Sequence, residues 1–175
     1  MPAARATRPK TRPLDVVRLR ELCSADVQRL SARYGVALQC LGDAAALSHS
    51  FWGAPEAGIS HAGVQLRPDT PAHSLLHELC HIVCMTAERR AALQRDAGGD
   101  VAEECAVCYL QVLLADRLPG FGAARCLRDM DAWGYSFREG SAAAWFDGDG
   151  RAARSWLCSH GLIDAAGKPT WRLRR

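Results

Sequence analysis

A short run in the middle of the chain, His77-Glu78-Leu79-Cys80-His81, contains the residue types of a catalytic metal site. In an α-helix, four residues advance by about 400°, so the two imidazoles lie about 40° apart on one face and about 6 Å apart along the axis. This spacing lets both rings reach one tetrahedral metal ion. Glu78 stands beside such an ion, where a carboxylate can accept a proton from metal-bound water. We therefore predict His77 and His81 as metal ligands and Glu78 as the general base.

A catalytic metal also needs a third protein ligand and an open coordination position. Glu103 and Glu104 begin the next helical pattern, whose buried stripe is expected at Ala106, Val107, Leu110, Leu113 and Leu114. This stripe places Glu103 inward and Glu104 about 100° away, more toward solvent. A carboxylate on an apolar face is costly unless it is paired or metal-bound. Glu103 is therefore the predicted third ligand, with Glu104 as the alternative.

Other potential ligands surround the motif. His73 lies one turn upstream of it and is expected at the surface. Cys80 and Cys84 share the histidine helix, and Cys105 and Cys108 form a C-x-x-C in the next one. Two such pairs can in principle close a structural zinc site, but within helices they are better explained as small buried hydrophobic residues. All eight cysteines are expected to be reduced thiols.

The hydrophobic periodicity indicates the elements that must position these residues. It predicts one long or two short helices over 14–34 and further helices over 71–90, 100–115, 123–132, 141–145 and 151–160. Strands are expected at 36–41 and within 59–66, the latter at a sheet edge because Pro68 follows it. A hairpin is possible over 162–173. The fold class is therefore α+β, a mostly helical single domain with a small sheet.

Composition limits the function classes. The 175 residues carry a net charge of +3, and basic residues do not cluster on one element, which argues against nucleic-acid binding. No apolar run approaches the roughly 20 residues of a membrane span. Residues 1–13 are predicted to form a flexible basic arm, and 14–175 a single metal-binding catalytic domain with its metal-site core at 58–115. We expect a cytoplasmic protein with basic termini in solvent.

The two motifs together resemble the gluzincin metallopeptidases. The stretch E-x-x-A-x-x-Y-L-x-x-L-L from Glu103 is similar to the Glu helix of the small ImmA/IrrE-type members, as is a strand ending in Pro before the histidine helix. The resemblance implies a minimal zincin-like fold, with Zn²⁺ held by His77, His81 and Glu103 and with Glu78 as base. This chain has Val107 where those proteins carry a small polar residue, which weakens the hydrogen bonding around one histidine.

A second resemblance is to the elongation factor P hydroxylase family, because Cys84 and then Arg89-Arg90 follow the H-E-x-x-H motif. It implies Fe²⁺ and oxygenation, and two histidines with one carboxylate also form the facial triad of non-haem iron oxygenases. The Glu103 helix pattern favours hydrolysis. The sequence thus predicts a zinc-dependent hydrolase, a metallopeptidase acting on a peptide or protein substrate. A non-haem iron hydroxylase and a non-catalytic metal-stabilised binding module remain as alternatives, and Tyr135 or Tyr109 is a candidate to stabilise an oxyanion.

Overall fold

Residues 15–175 are described by the computed structural model, and the predicted basic arm lies outside them. A short 3-10 helix at Leu19–Glu21 precedes α1. The α-helices and strands then follow as α1 Ser24–Ala32, β1 Leu38–Cys40, β2 Gly58–Ser60, β3 Gly63–Leu66, α2 Ala72–Cys84, α3 Ala87–Ala92, α4 Val101–Ala115, α5 Ala123–Trp133, α6 Ala142–Asp147 and α7 Gly150–Ser159. The predicted fold class, a mostly helical α+β domain with a small sheet, is confirmed.

The sheet has the strand order β1-β3-β2. Val64 of β3 pairs in parallel with Leu38 and antiparallel with Ile59. The prediction of an edge strand within 59–66 is therefore wrong, because this segment turns at 61–62 and folds into two strands, of which β3 lies at the centre. All four residues of β3 are buried. On β2, the backbone N–H of Ile59 donates to the carbonyl oxygen of His49 at 3.1 Å, so the segment that precedes β2 folds back against β2.

The predicted helix over 71–90 is interrupted. Helix α2 ends at Cys84, Met85 is extended, and the Thr86 hydroxyl accepts a backbone N–H of α3 at 3.4 Å. The Arg90 guanidinium donates to the carbonyl oxygens of Ile82 at 2.9 Å and Met85 at 2.7 Å. These bonds satisfy carbonyl groups at the C-terminal end of α2, which ends at Cys84, six residues before Arg90.

Helices α2 and α4 pack side by side at the centre of the domain. Helix α4 begins, as predicted, after Asp100, whose carboxylate accepts the backbone N–H of Glu103 at 2.8 Å. Helices α5 and α7 cover it from other sides, and it is buried around almost its whole circumference. None of the helices within 15–175 is long and apolar enough to cross a membrane.

The segment after α7 does not form the expected hairpin strands. It contains one isolated bridge, between Ile163 and Pro169, and then runs to the end of α2. There the backbone N–H of Arg174 donates to the carbonyl oxygen of Val83 at 2.9 Å, and Trp171 packs against Tyr34 with ring centroids 5.2 Å apart. The basic end of the chain was expected in solvent, but Arg174 is partly buried.

Candidate metal centre

Three side chains from α2 and α4 converge on one point. The Nε2 atoms of His77 and His81 lie 3.1 Å apart. The carboxylate of Glu104 lies 3.5 Å from each of them, with Oε1 near His77 and Oε2 near His81. Within residues 15–175 this is the only group of three such side chains whose ligand atoms are close enough to share an ion. The side chains are 10–27% exposed, so the site opens to solvent on the Glu104 side.

The spacing of the three side chains suits a shared metal ion. In a tetrahedral zinc site, ligand distances of about 2.0–2.1 Å give ligand-to-ligand distances of about 3.3 Å. Here the two Nε2 atoms lie 3.1 Å apart, and each lies 3.5 Å from one carboxylate oxygen of Glu104, Oε1 for His77 and Oε2 for His81. Three ligands occupy three corners of a tetrahedron and leave the fourth for water or substrate, which is the arrangement of catalytic zinc sites. These residues can therefore hold a metal ion.

Glu103, the predicted third ligand, does not face the histidines. Its Oε2 accepts from Arg89 Nη1 at 2.8 Å and from Arg174 Nη1 at 2.9 Å. The side chain is buried as predicted, but two guanidinium groups and not a metal compensate its charge. Glu104, which is more exposed, takes the place next to the imidazoles. Glu103 is the more buried carboxylate because Arg89 and Arg174, which no local sequence pattern places beside it, pair with its charge.

The face of α4 that meets α2 is marked by polar residues. Glu104 and Gln111 are seven residues apart, which is two helical turns, so they share a face. Gln111 is completely buried. The apolar stripe used to orient α4 did not identify this face, because the helix is apolar on all sides. The sequence did contain one signal for this face: Gln111, a polar residue in an otherwise apolar run, lies two helical turns after Glu104.

Gln111 contacts both the histidine helix and one ligand. Its Oε1 accepts from His77 Nδ1 at 3.1 Å, and its Nε2 donates to the carbonyl oxygen of His73 at 3.1 Å. Sequence reasoning did not assign Gln111 a role. Hydrogen bonds to the remote nitrogen of a ligating histidine orient the ring. Gln111 lies one turn after Val107 on α4 and provides a hydrogen bond to His77.

His81 has a different environment from His77. Burial, the neighbouring His77 and the positive charge of Arg89 hold the pKa of His81 well below its usual range. The ring is therefore neutral, which is the form that binds metals. Its Nδ1 atom is buried without a hydrogen-bond partner among the described residues.

Glu78 is half-buried on the same helix as the two histidines. Burial, together with the negative charges of Glu104, Glu56 and Asp96, raises the pKa of Glu78 well above its usual range. A raised pKa makes a carboxylate a stronger proton acceptor than an exposed one.

His73, Tyr135 and Tyr109 differ in their position relative to the three candidate ligands. His73 is completely buried, against the expectation of a surface position, and lies outside the triangle of ligand atoms. Its ring centroid is 5.2 Å from that of Trp133 and 5.7 Å from that of Tyr135. Tyr135 also packs edge-on against His77, with ring centroids 5.7 Å apart, whereas Tyr109 stacks on Phe146 of α6. Burial raises the pKa of Tyr135 well above its usual range, so its hydroxyl stays protonated.

All eight cysteines are free. The fully buried ones are Cys80, Cys84, Cys108 and Cys126. Burial is the largest cause of the raised pKa of each of these four thiols. They do not form a group able to share an ion within 15–175, and they pack as small apolar side chains.

Comparison of the chain with protein-family models, curated proteins and solved structures gave no match.

Proposed function

We propose that the protein is a metal-dependent hydrolase that uses Zn²⁺ to cleave a peptide bond. The observation that carries this proposal is the convergence of three side chains: the Nε2 atoms of His77 and His81 lie 3.1 Å apart, and each is 3.5 Å from a carboxylate oxygen of Glu104. It supports a three-ligand site with a free fourth position, and Glu78 lies next to it in the chain. The resemblance of the H-E-x-x-H motif to that of metallopeptidases points to the same chemistry.

When bound, zinc lowers the pKa of a coordinated water and polarises a carbonyl group. The residues of the chain do the rest. His77, His81 and Glu104 would hold the ion, and Glu78 would accept a proton from water and return it to the leaving amine. Tyr135, whose ring packs edge-on against His77 and whose hydroxyl stays protonated, would be the candidate donor to an oxyanion. We expect the reaction to take place in the cytoplasm, on a peptide or protein substrate.

The same ligand set suits non-haem iron. The proposal of zinc hydrolysis rests on Glu78, a carboxylate next to the first histidine ligand that can accept a proton from water, and on the likeness of the H-E-x-x-H motif to that of metallopeptidases.

The experiment combines metal analysis with one substitution. The protein is purified without added metal, its metal content is measured by mass spectrometry, and cleavage of a defined library of short synthetic peptides is followed. We expect zinc in the isolated protein. Glu78→Gln should keep the metal and lower the cleavage rate by about 10²-fold or more, because the proton acceptor is lost. Glu88→Gln, at an exposed position on α3, is the matched control and should cleave like the wild type.

Three results would contradict the proposal. Bound iron with oxygen consumption and no cleavage would identify an oxygenase. Cleavage that survives Glu78→Gln would remove Glu78 as the base. A protein that binds a macromolecule with steep salt dependence, indifferent to Glu78→Gln, would be a binding module.

A further inference from the structure

We infer that Gln111 is a positioning residue that fixes the proton of His77 on Nδ1 and so directs the lone pair of Nε2 into the metal site. This inference rests on the proposed function, because it concerns the same centre. It assigns a role to a residue outside the ligand triangle, on the second turn of α4 after Glu104.

The direction of the Gln111 amide is determined by its two partners. The carbonyl oxygen of His73 only accepts hydrogen bonds, so the group 3.1 Å from it must be the amide nitrogen. The amide oxygen then faces His77 Nδ1 at 3.1 Å. An oxygen of this kind cannot donate, so Nδ1 must carry the hydrogen. The opposite amide orientation would place two acceptors together at the His73 carbonyl.

This proton placement makes the two histidines unequal before metal binds. With its proton on Nδ1, His77 presents a lone pair at Nε2. His81 Nε2, 3.1 Å away, must then donate to it in the metal-free protein. The Nδ1 of His81 is the buried atom without a partner among the described residues. His77 Nε2 therefore has a free lone pair for a metal ion. His81 must transfer its proton from Nε2 to Nδ1 before its Nε2 can bind the ion.

Burial makes this arrangement rigid. Gln111 is 0% exposed, and both ends of its amide are hydrogen-bonded, the oxygen to His77 and the nitrogen to the His73 carbonyl. Turning the amide would set its oxygen against the His73 carbonyl oxygen, and a buried polar group left unpaired costs about 1–3 kcal/mol. The residue therefore fixes one orientation of the His77 ring.

The test measures zinc affinity and histidine tautomers on the full chain. In Gln111→Met, which keeps the length of the side chain but removes the hydrogen bonds, the Kd for Zn²⁺ should rise about 10–100-fold. Gln111→Glu keeps an oxygen that accepts from His77, so its affinity should stay closer to that of the wild type than to that of Gln111→Met. Nitrogen-15 NMR of the metal-free wild type should show His77 protonated on Nδ1 and His81 on Nε2.

The control is Gln65→Met. Gln65 is also a buried glutamine, but it bonds to Gln39, Ser48 and the His49 backbone. Its loss should cost stability without changing the Kd. If Gln111→Met and Gln65→Met bind zinc equally well, or if His77 carries its proton on Nε2, the inference about Gln111 is overturned and the proposed function stands. If the wild type binds no zinc, the proposed function fails, and the NMR result still decides the tautomer assignment.

Discussion

Two adjacent carboxylates on α4 have different partners, and this decides which of them can bind a cation. Glu103 faces the guanidinium groups of Arg89 and Arg174, at 2.8 and 2.9 Å. A metal ion placed there would meet two positive charges. Glu104 faces two imidazoles, which bind metal ions in their neutral form, at 3.5 Å. At the scale of single residues, the environment of each carboxylate therefore matters more than its depth of burial.

The pair Glu104→Gln and Glu103→Gln tests this assignment. Glu104→Gln removes a charged ligand and should lower the metal content from about one ion per chain to about a tenth or less. Glu103→Gln should keep the metal and lose stability, because two buried arginine contacts lose their anion. Metal analysis of both proteins after dialysis, with urea unfolding as the stability measurement, gives the answer. Metal loss in Glu103→Gln alone would restore the assignment made from the sequence.

At the scale of elements, the histidine helix was predictable and the orientation of its partner was not. The residues of the H-E-x-x-H motif, the Asp100 cap and the end of α4 at Ala115 follow from local chemistry, and the structure has all three. The face of α4 that meets α2 depends on packing by α5 and α7 and on the distant Arg174. A helix that is apolar on every side carries no stripe from which to derive its orientation.

The C-terminal end of α2 could not be predicted from the sequence either. The periodicity from Pro71 to Arg90 continues through Met85, so a single helix was the natural prediction. What ends α2 is the Arg90 side chain returning to the Ile82 carbonyl, a contact that no hydrophobic pattern encodes.

The segment after α7 ties α2 to α4, and Arg174 is its main contact. Arg174→Met should lower the free energy of unfolding by about 1–3 kcal/mol, because Glu103 would keep only one of its two arginine partners while buried. Arg172→Met, at an exposed neighbouring position, is the matched control and should change stability by less than about 0.5 kcal/mol. Urea unfolding of both variants measures the difference. Equal stability of the two would mean that Arg174 does not hold the segment in place.

At the scale of the whole molecule, buried His73 couples stability to pH. Burial, with His77 and Arg18 nearby, lowers the pKa of His73 to about 3. In the unfolded chain a histidine titrates near 6.5. Between these values the unfolded state binds a proton that the folded state does not, so the folded state loses stability as the pH falls.

His73→Leu isolates this contribution. When the pH is lowered from 7 to 5, protonation of His73 in the unfolded state should lower the free energy of unfolding of the metal-free wild type by about 2 kcal/mol. The free energy of unfolding of His73→Leu should fall by about 2 kcal/mol less over the same pH range. The variant also removes two buried ring nitrogens that have no hydrogen-bond partner among the described residues. Urea unfolding at both pH values, with a chelator present, measures the difference. The same acid loss in both proteins would show that another group is responsible.

The reactivity of the buried thiols reports whether the helices that carry them separate. They stand on three neighbouring helices, at Cys80 and Cys84 of α2, Cys108 of α4 and Cys126 of α5. An alkylating reagent reaches them only when these helices part, while the exposed Cys23 and Cys40 react in the closed protein. The ratio of the two labelling rates therefore reports how often the scaffold beneath the site opens under native conditions, without any added probe.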